Sequence, residues 1–241
     1  MRSTLIRLLA VGLLLAACPP PAGAVVIDPD LDAYIWDFEP SGTLDGVPDA
    51  LFNTNALLPA RGVLSSGTAL DARALIVFDV SPFAGLTLSS AALTGYGGGV
   101  DHNTAPDTIV GNFFLAPGDG AITLSDFDAV ASPTGSLLFN GVESPVFDTL
   151  FPFELDVTAG LQGLLTNGNP YAEFRVEAAE LSLFINAAEA EAPYQYDARF
   201  PGPTLRLAFT PNPAPVIPEP ATLWLLGLGI AGLGLRRRRP R

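Results

Sequence analysis

The chain has 241 residues, with 12 basic and 25 acidic side chains, one histidine, one cysteine and no lysine, for a formal net charge of −13. The charge is unevenly placed: seven arginines lie at the two ends, so residues 25–219 hold five arginines against all 25 carboxylates. A surface that acidic repels phosphate backbones and excludes nucleic acid as a partner, while divalent cations and neutral polymers such as polysaccharide stay open.

The amino terminus carries Arg2 and Arg7, then ten apolar residues from Leu8 to Ala17, then Cys18, three prolines and Ala22-Gly23-Ala24. Ten helical residues cover about 15 Å, half of the roughly 30 Å core of a bilayer, so the pattern predicts a signal peptide over 1–24. Signal peptidase would cut between Ala24 and Val25. Leu15-Ala16-Ala17-Cys18 offers a second cut, in which Cys18 becomes a lipidated amino terminus. Either way the exported part contains no disulfide and must be held by its core.

Strands dominate the central region. Residues 33–38 alternate, placing Tyr34, Trp36 and Phe38 on one face. Exposed, these rings would stack against sugar faces; buried, they are sandwich core. Residues 74–80 form an apolar run of the buried-strand kind, and further strands are expected at 86–96, 108–115, 147–156, 171–177, 181–185 and 204–210. Tyr171–Glu177 alternates strictly and puts Ala172, Phe174 and Val176 on one side. A single short helix is expected at 158–165. Many strands with little helix predict an all-β sandwich over 25–210.

Candidate chemistry is sparse. Gly97-Gly98-Gly99 lacks the lysine and hydroxyl of a phosphate loop. His102 has no second histidine or cysteine with which to hold a transition metal. Asp101, Asn103 and Asp107 surround it and could place oxygens about a Ca²⁺ ion, although the pattern is not an EF-hand; otherwise no cofactor is expected. Glycoside hydrolysis needs two facing carboxylates. Pairs such as Glu177 with Glu180 or Glu189 with Glu191 arise by chance among 25 acids, most of which are expected on solvated faces.

A proline-rich linker at 211–217 leads to Pro218-Glu219-Pro220, an uncharged stretch at 221–235 and an arginine tail at 236–241. Fifteen residues make about 22 Å of helix, enough to span with snorkelling flanks. The arginines set that end cytoplasmic and the body outside the inner membrane. This order resembles the PEP-CTERM sorting signal of Gram-negative bacteria. The resemblance implies recognition of Pro218, Glu219 and Pro220 by an exosortase, a transient stay in the inner membrane, and delivery to the cell surface or an extracellular matrix.

The middle resembles DNRLRE-type, disaggregatase-related domains. Arg73–Pro82 followed by Leu86–Tyr96, the stretch Phe153–Leu165, and Asp197–Leu207 match their strands in order, while residues 97–145 depart from the pattern. What that resemblance implies is a single jelly-roll-like β-sandwich, similar to carbohydrate-binding modules, in a non-enzymatic surface or exopolysaccharide-matrix protein. A module with specific glycan affinity is the alternative, and a polysaccharide hydrolase the third reading.

Overall fold

The computed structural model describes residues 24–53, 56–57, 59–63, 66–101, 108–143, 150–179, 183–186 and 202–210. The signal segment with Cys18, the residues 102–107 that include His102, Asn103 and Asp107, the acids Glu180, Glu189 and Glu191, and the whole of 211–241 lie outside them. Among the described residues no helix is long and apolar enough to cross a membrane.

The described residues form thirteen strands: β1 Val25–Ile27, β2 Leu31–Glu39, β3 Ala50–Phe52, β4 Ala56–Leu57, β5 Ala60–Val63, β6 Ala69–Asp79, β7 Leu88–Asp101, β8 Thr108–Gly118, β9 Ser132–Glu143, β10 Phe151–Asp156, β11 Tyr171–Ala178, β12 Leu183–Asn186 and β13 Thr204–Phe209. They build two sheets packed as a jelly-roll-like sandwich. One sheet centres on β7, which pairs antiparallel with β13, β10 and β12, and β1 closes its edge against β13. The other runs β9-β8-β11-β6-β2-β3, antiparallel throughout, with β5 beside the first half of β6. A short parallel contact between Gly99–Asp101 of β7 and Gly141–Glu143 of β9 joins the two.

Period-two alternation decides which side chains meet between the sheets. Ala74, Ile76 and Phe78 of β6, Ala172, Phe174 and Val176 of β11, and Phe113 and Leu115 of β8 face Ala91 and Leu93 of β7, Leu205 and Leu207 of β13 and Leu155 of β10. Phe78 and Phe174 meet edge to face at 5.8 Å. The expected inward trio Ala172, Phe174 and Val176 is fully buried.

The helix α1, Thr158–Thr166, drives Leu161 and Leu165, one turn apart, into this core. Its polar side docks it on the start of β7. The Ala91 N–H donates to Thr158 Oγ1 at 2.8 Å, and the Leu88 N–H donates to Gln162 Oε1 at 2.6 Å. Thr158 donates in turn to Asp156 Oδ1 through both its hydroxyl, at 2.6 Å, and its N–H, at 2.9 Å.

One sequence expectation needs correction. The strand expected to stop at Tyr96 continues to Asp101 through Gly97, Gly98 and Gly99. Glycine there is no turn signal: Gly97 is paired on both sides, with Phe151 and with Ile185. The described part of 97–145, the segment that departs from the family pattern, extends the strand expected at 108–115 and adds another. It supplies β8, β9 and a strap over the second sheet that contains a 3₁₀ turn at Leu124–Asp128.

Candidate functional site

The even residues of β2 share the core side of their sheet, because Tyr34 lies opposite Ala74 and Trp36 opposite Ala72. Sequence alternation therefore brings Tyr34, Trp36 and Phe38 together as expected. Tyr34 and Trp36 sit apart from the main core, in a separate cluster with Ala60, Ala72, Leu70 and Phe52, and Phe38 joins them through Trp36. Tyr34 stacks on Phe52 at 5.0 Å, Trp36 stacks on Phe38 at 5.4 Å, and Phe52 meets the indole edge-on at 4.5 Å. Tyr34 is only 8 % exposed, and burial raises its hydroxyl pKa. Trp36 and Phe38 are half-buried. The arrangement is a small aromatic box with rings still partly open to solvent. Phe52 is the member that sequence reading missed; its signal was only a run of three apolar residues between Asp49 and Asn53.

The outer side of the same sheet is charged and covered. Odd residues of β2, β6 and β11 project there: Ile35 opposite Arg73, Asp37 opposite Asp71, Arg175 opposite Leu75 and Glu173 opposite Val77. The strap lays Phe127 on Ile35 and Leu75 as a second small core, and two arginines tie it down. Arg73 donates to the Phe127 carbonyl, to Asp128 Oδ1 at 2.7 Å and to Asp71 Oδ2 at 3.0 Å, with its guanidinium 3.9 Å from the Phe127 ring centre. Arg175 donates to the Ala129 carbonyl at 2.6 Å and lies 2.9 Å from Glu177.

The expectation that most of the acids lie on solvated faces or turns has four exceptions among the described residues. Asp37, Asp71 and Glu173 are buried because the strap and the β2–β3 loop close over the face from which they project; Asp32, an even residue of β2, is buried as well. Glu173 is 4 % exposed. Burial first, then repulsion from Asp126 and Asp119, raises its pKa to about 7 against the pull of Arg175. Glu177, one member of a chance carboxylate pair, is engaged by Arg73 and Arg175.

Farther along, Asp37, Glu39 and Asp49 bring one oxygen each to within 4.8 Å of the others. Of the Ca²⁺ candidates read from sequence, the structure describes only the backbone of Asp101, at the end of β7.

Two grooves mark the seam between β9 and β10. One, of about 420 Å³, is lined by Leu137–Phe139 and Phe151–Glu154. The other, of about 300 Å³, lies between Leu115, Val130, Pro133 and the helix residues Gly160 and Leu164. Most of their lining residues are apolar, though polar backbone and side-chain atoms also face into both, and Leu138 is 72 % exposed. The second groove contains one carboxylate, Asp156, held ionised below its usual range by the two Thr158 bonds. Neither groove presents the facing acid pair that glycoside hydrolysis requires.

Among solved structures, the CBM22-1 xylan-binding domain of Paenibacillus barcinonensis Xyn10C is similar over 80 % of this chain and 99 % of its own length, at 7 % sequence identity and a TM-score of 0.36. No curated protein matches the sequence. At residues 216–239, spanning Pro218, Glu219 and Pro220 and most of the arginine tail, the sequence matches the PEP-CTERM protein-sorting motif. The chain thus carries the mark of an exported protein that an exosortase processes at its carboxy-terminal anchoring region.

Proposed function

We propose that the protein is a non-enzymatic structural component of the cell surface or the exopolysaccharide matrix of a Gram-negative bacterium, delivered by exosortase sorting of its β-sandwich. The observation that carries this reading is the sorting motif at 216–239. Two further features support it. The body holds five arginines against 25 carboxylates, which keeps it hydrated and away from anionic membranes once released. Each of the two described grooves offers a single carboxylate, Glu154 or Asp156, and not the facing pair of a glycosidase.

In this scheme the leader over 1–24 starts export, signal peptidase cuts after Ala24 or the chain is lipidated at Cys18, and the apolar stretch 221–235 halts transfer. The prolines at 218 and 220 keep the segment before it extended and helix-free, so that a membrane enzyme can grip its backbone. Replacing Pro218-Glu219-Pro220 by alanines tests the scheme in the native host. The expected result is full-length protein retained in the inner-membrane fraction, with loss of the released form. Release at the wild-type level from that variant would refute it.

A second reading, specific glycan binding, is favoured by one observation: the box of Tyr34, Trp36, Phe38 and Phe52 leaves Trp36 and Phe38 half-open to solvent. An aromatic face in that state can pack against the C–H face of a sugar ring.

A further inference from the structure

The hairpin β2–β3 sets a row of carboxylates across the outer side of its sheet. Asp37 lies opposite Asp71 on β6. On its other side the β2–β3 register ends at Trp36 with Ala50, and Asp49, next in the chain, is held beside β2 by its N–H, which donates to the Trp36 carbonyl at 2.9 Å. Like charges directly opposite each other destabilise a sheet, so such a row needs compensation. Asp71 has it, in Arg73 at 3.0 Å. The ion pairs among the described residues leave out Asp37, Glu39 and Asp49.

Asp37 is the telling member. It is 1 % exposed, and its Oδ2 accepts the Gly46 N–H at 3.0 Å. Its Oδ1 is buried with no hydrogen-bond partner. A buried, orphaned carboxylate oxygen costs several times what a hydrogen bond returns, and it persists where something else satisfies it. Asp49 is positioned from the backbone, its Oδ2 accepting the Phe38 N–H at 2.7 Å, while Glu39 reaches in from the strand end.

We infer that Asp37, Glu39 and Asp49 form a binding site for a hard divalent cation, Ca²⁺, which locks the β2–β3 loop onto the sheet. One hard cation can reach all three carboxylate oxygens, which fall within 4.8 Å of one another, since two oxygens on opposite sides of Ca²⁺ lie about 4.8 Å apart. Ca²⁺ is favoured over Mg²⁺ by the donor set: Mg²⁺ dehydrates reluctantly and demands near-ideal octahedral geometry, whereas Ca²⁺ accepts several carboxylates in an irregular shell. An all-oxygen donor set without histidine or cysteine disfavours zinc and copper. Burial and the charges of Asp45, Asp49 and Asp71 hold the Asp37 pKa up without the ion, opposed by the Gly46 bond; a divalent cation reverses that balance. The site is separate from the aromatic box and from the sorting tail, so it stands or falls independently of both.

The test uses the full chain in mild detergent, stripped of metal with chelator and titrated with Ca²⁺ alone, with calorimetry and thermal melting as readouts. Saturable binding is expected with Kd about 10⁻⁴–10⁻³ M, the range of extracellular modules, together with a rise in Tm of several degrees. Mg²⁺ should bind at least tenfold more weakly. Glu39→Gln and Asp37→Asn should each weaken Ca²⁺ binding tenfold or more. Asp37→Asn should melt no lower than wild type in chelator, since it removes a buried charge. Asp101→Asn, at the other Ca²⁺ candidate, should leave the titration unchanged. No saturable Ca²⁺ effect on the wild type would overturn the proposal. So would binding that survives in both Glu39→Gln and Asp37→Asn, or binding that disappears in Asp101→Asn.

Discussion

Titrating Glu173 gives the sharpest check on the energetics of the strap. Its carboxyl projects from β11 under the 119–131 segment, and its pKa is raised from 4.5 to about 7. Because the folded value lies above the unfolded one, the folded state binds the extra proton between them. Stability is therefore full below about pH 4.5, falls as pH rises through the window to about 7, and is flat beyond it. A shift of about 2.5 units corresponds to on the order of 3 kcal/mol, or about 6–12 °C in Tm for a domain of this size. The assay is urea unfolding of wild type and Glu173→Gln, monitored by circular dichroism, at about pH 5 and about pH 8. Asp37 pulls in the same direction, so the decisive quantity is the difference between the two proteins. Glu173→Gln should lose most of the pH-dependent decline and be the more stable of the pair at about pH 8. An equal decline in both proteins, or a wild type that gains stability across the window, would refute the assignment of a buried, repelled carboxylate.

Two further outcomes rest on the packing. Phe174→Ala removes a fully buried ring that meets Phe78 between the sheets and should cost about 3–5 kcal/mol, seen as a lower urea midpoint with an unchanged slope. Under the glycan-binding reading, Trp36→Ala should weaken retention in affinity electrophoresis on polysaccharide gels by about tenfold, some 1.4 kcal/mol. Identical mobility of variant and wild type on every gel that retards the wild type would leave the indole a packing role only.

The elements legible from the sequence were those whose pattern is local. The alternation of Tyr171–Glu177 gave the strand, its inward residues and its burial, and the apolar run 74–80 gave the heart of β6. The short helix and Tyr34–Trp36–Phe38 were legible for the same reason. The gaps concern groups brought together by long-range pairing. Residues 132–143 carry glycine, proline and serine, and become β9 only because β8 offers them an antiparallel partner. Phe127 shows no strand or helix period, yet it is buried because Arg73 and Arg175, 54 and 48 residues away, bind its carbonyl. Asp37 reads as the polar half of an alternating strand. That it would be enclosed depends on the loop from Gly46 to Asp49 folding back over it.

The edge pairing of β1 with β13 sets Val25 opposite Leu207 and Ile27 opposite Leu205. The first and last of the described strands therefore enter and leave the sandwich at one rim. Under the proposed export scheme, a polypeptide tethered at its head by a leader and at its tail by an anchor can complete this fold without threading either end through the sheets or around them. The two proteolytic cuts of that scheme are then independent in order, since neither needs the domain to reopen. A steady pull on both tethers toward one membrane draws the two neighbouring strands the same way, so their three-residue ladder is spared the opposed load that would peel it apart.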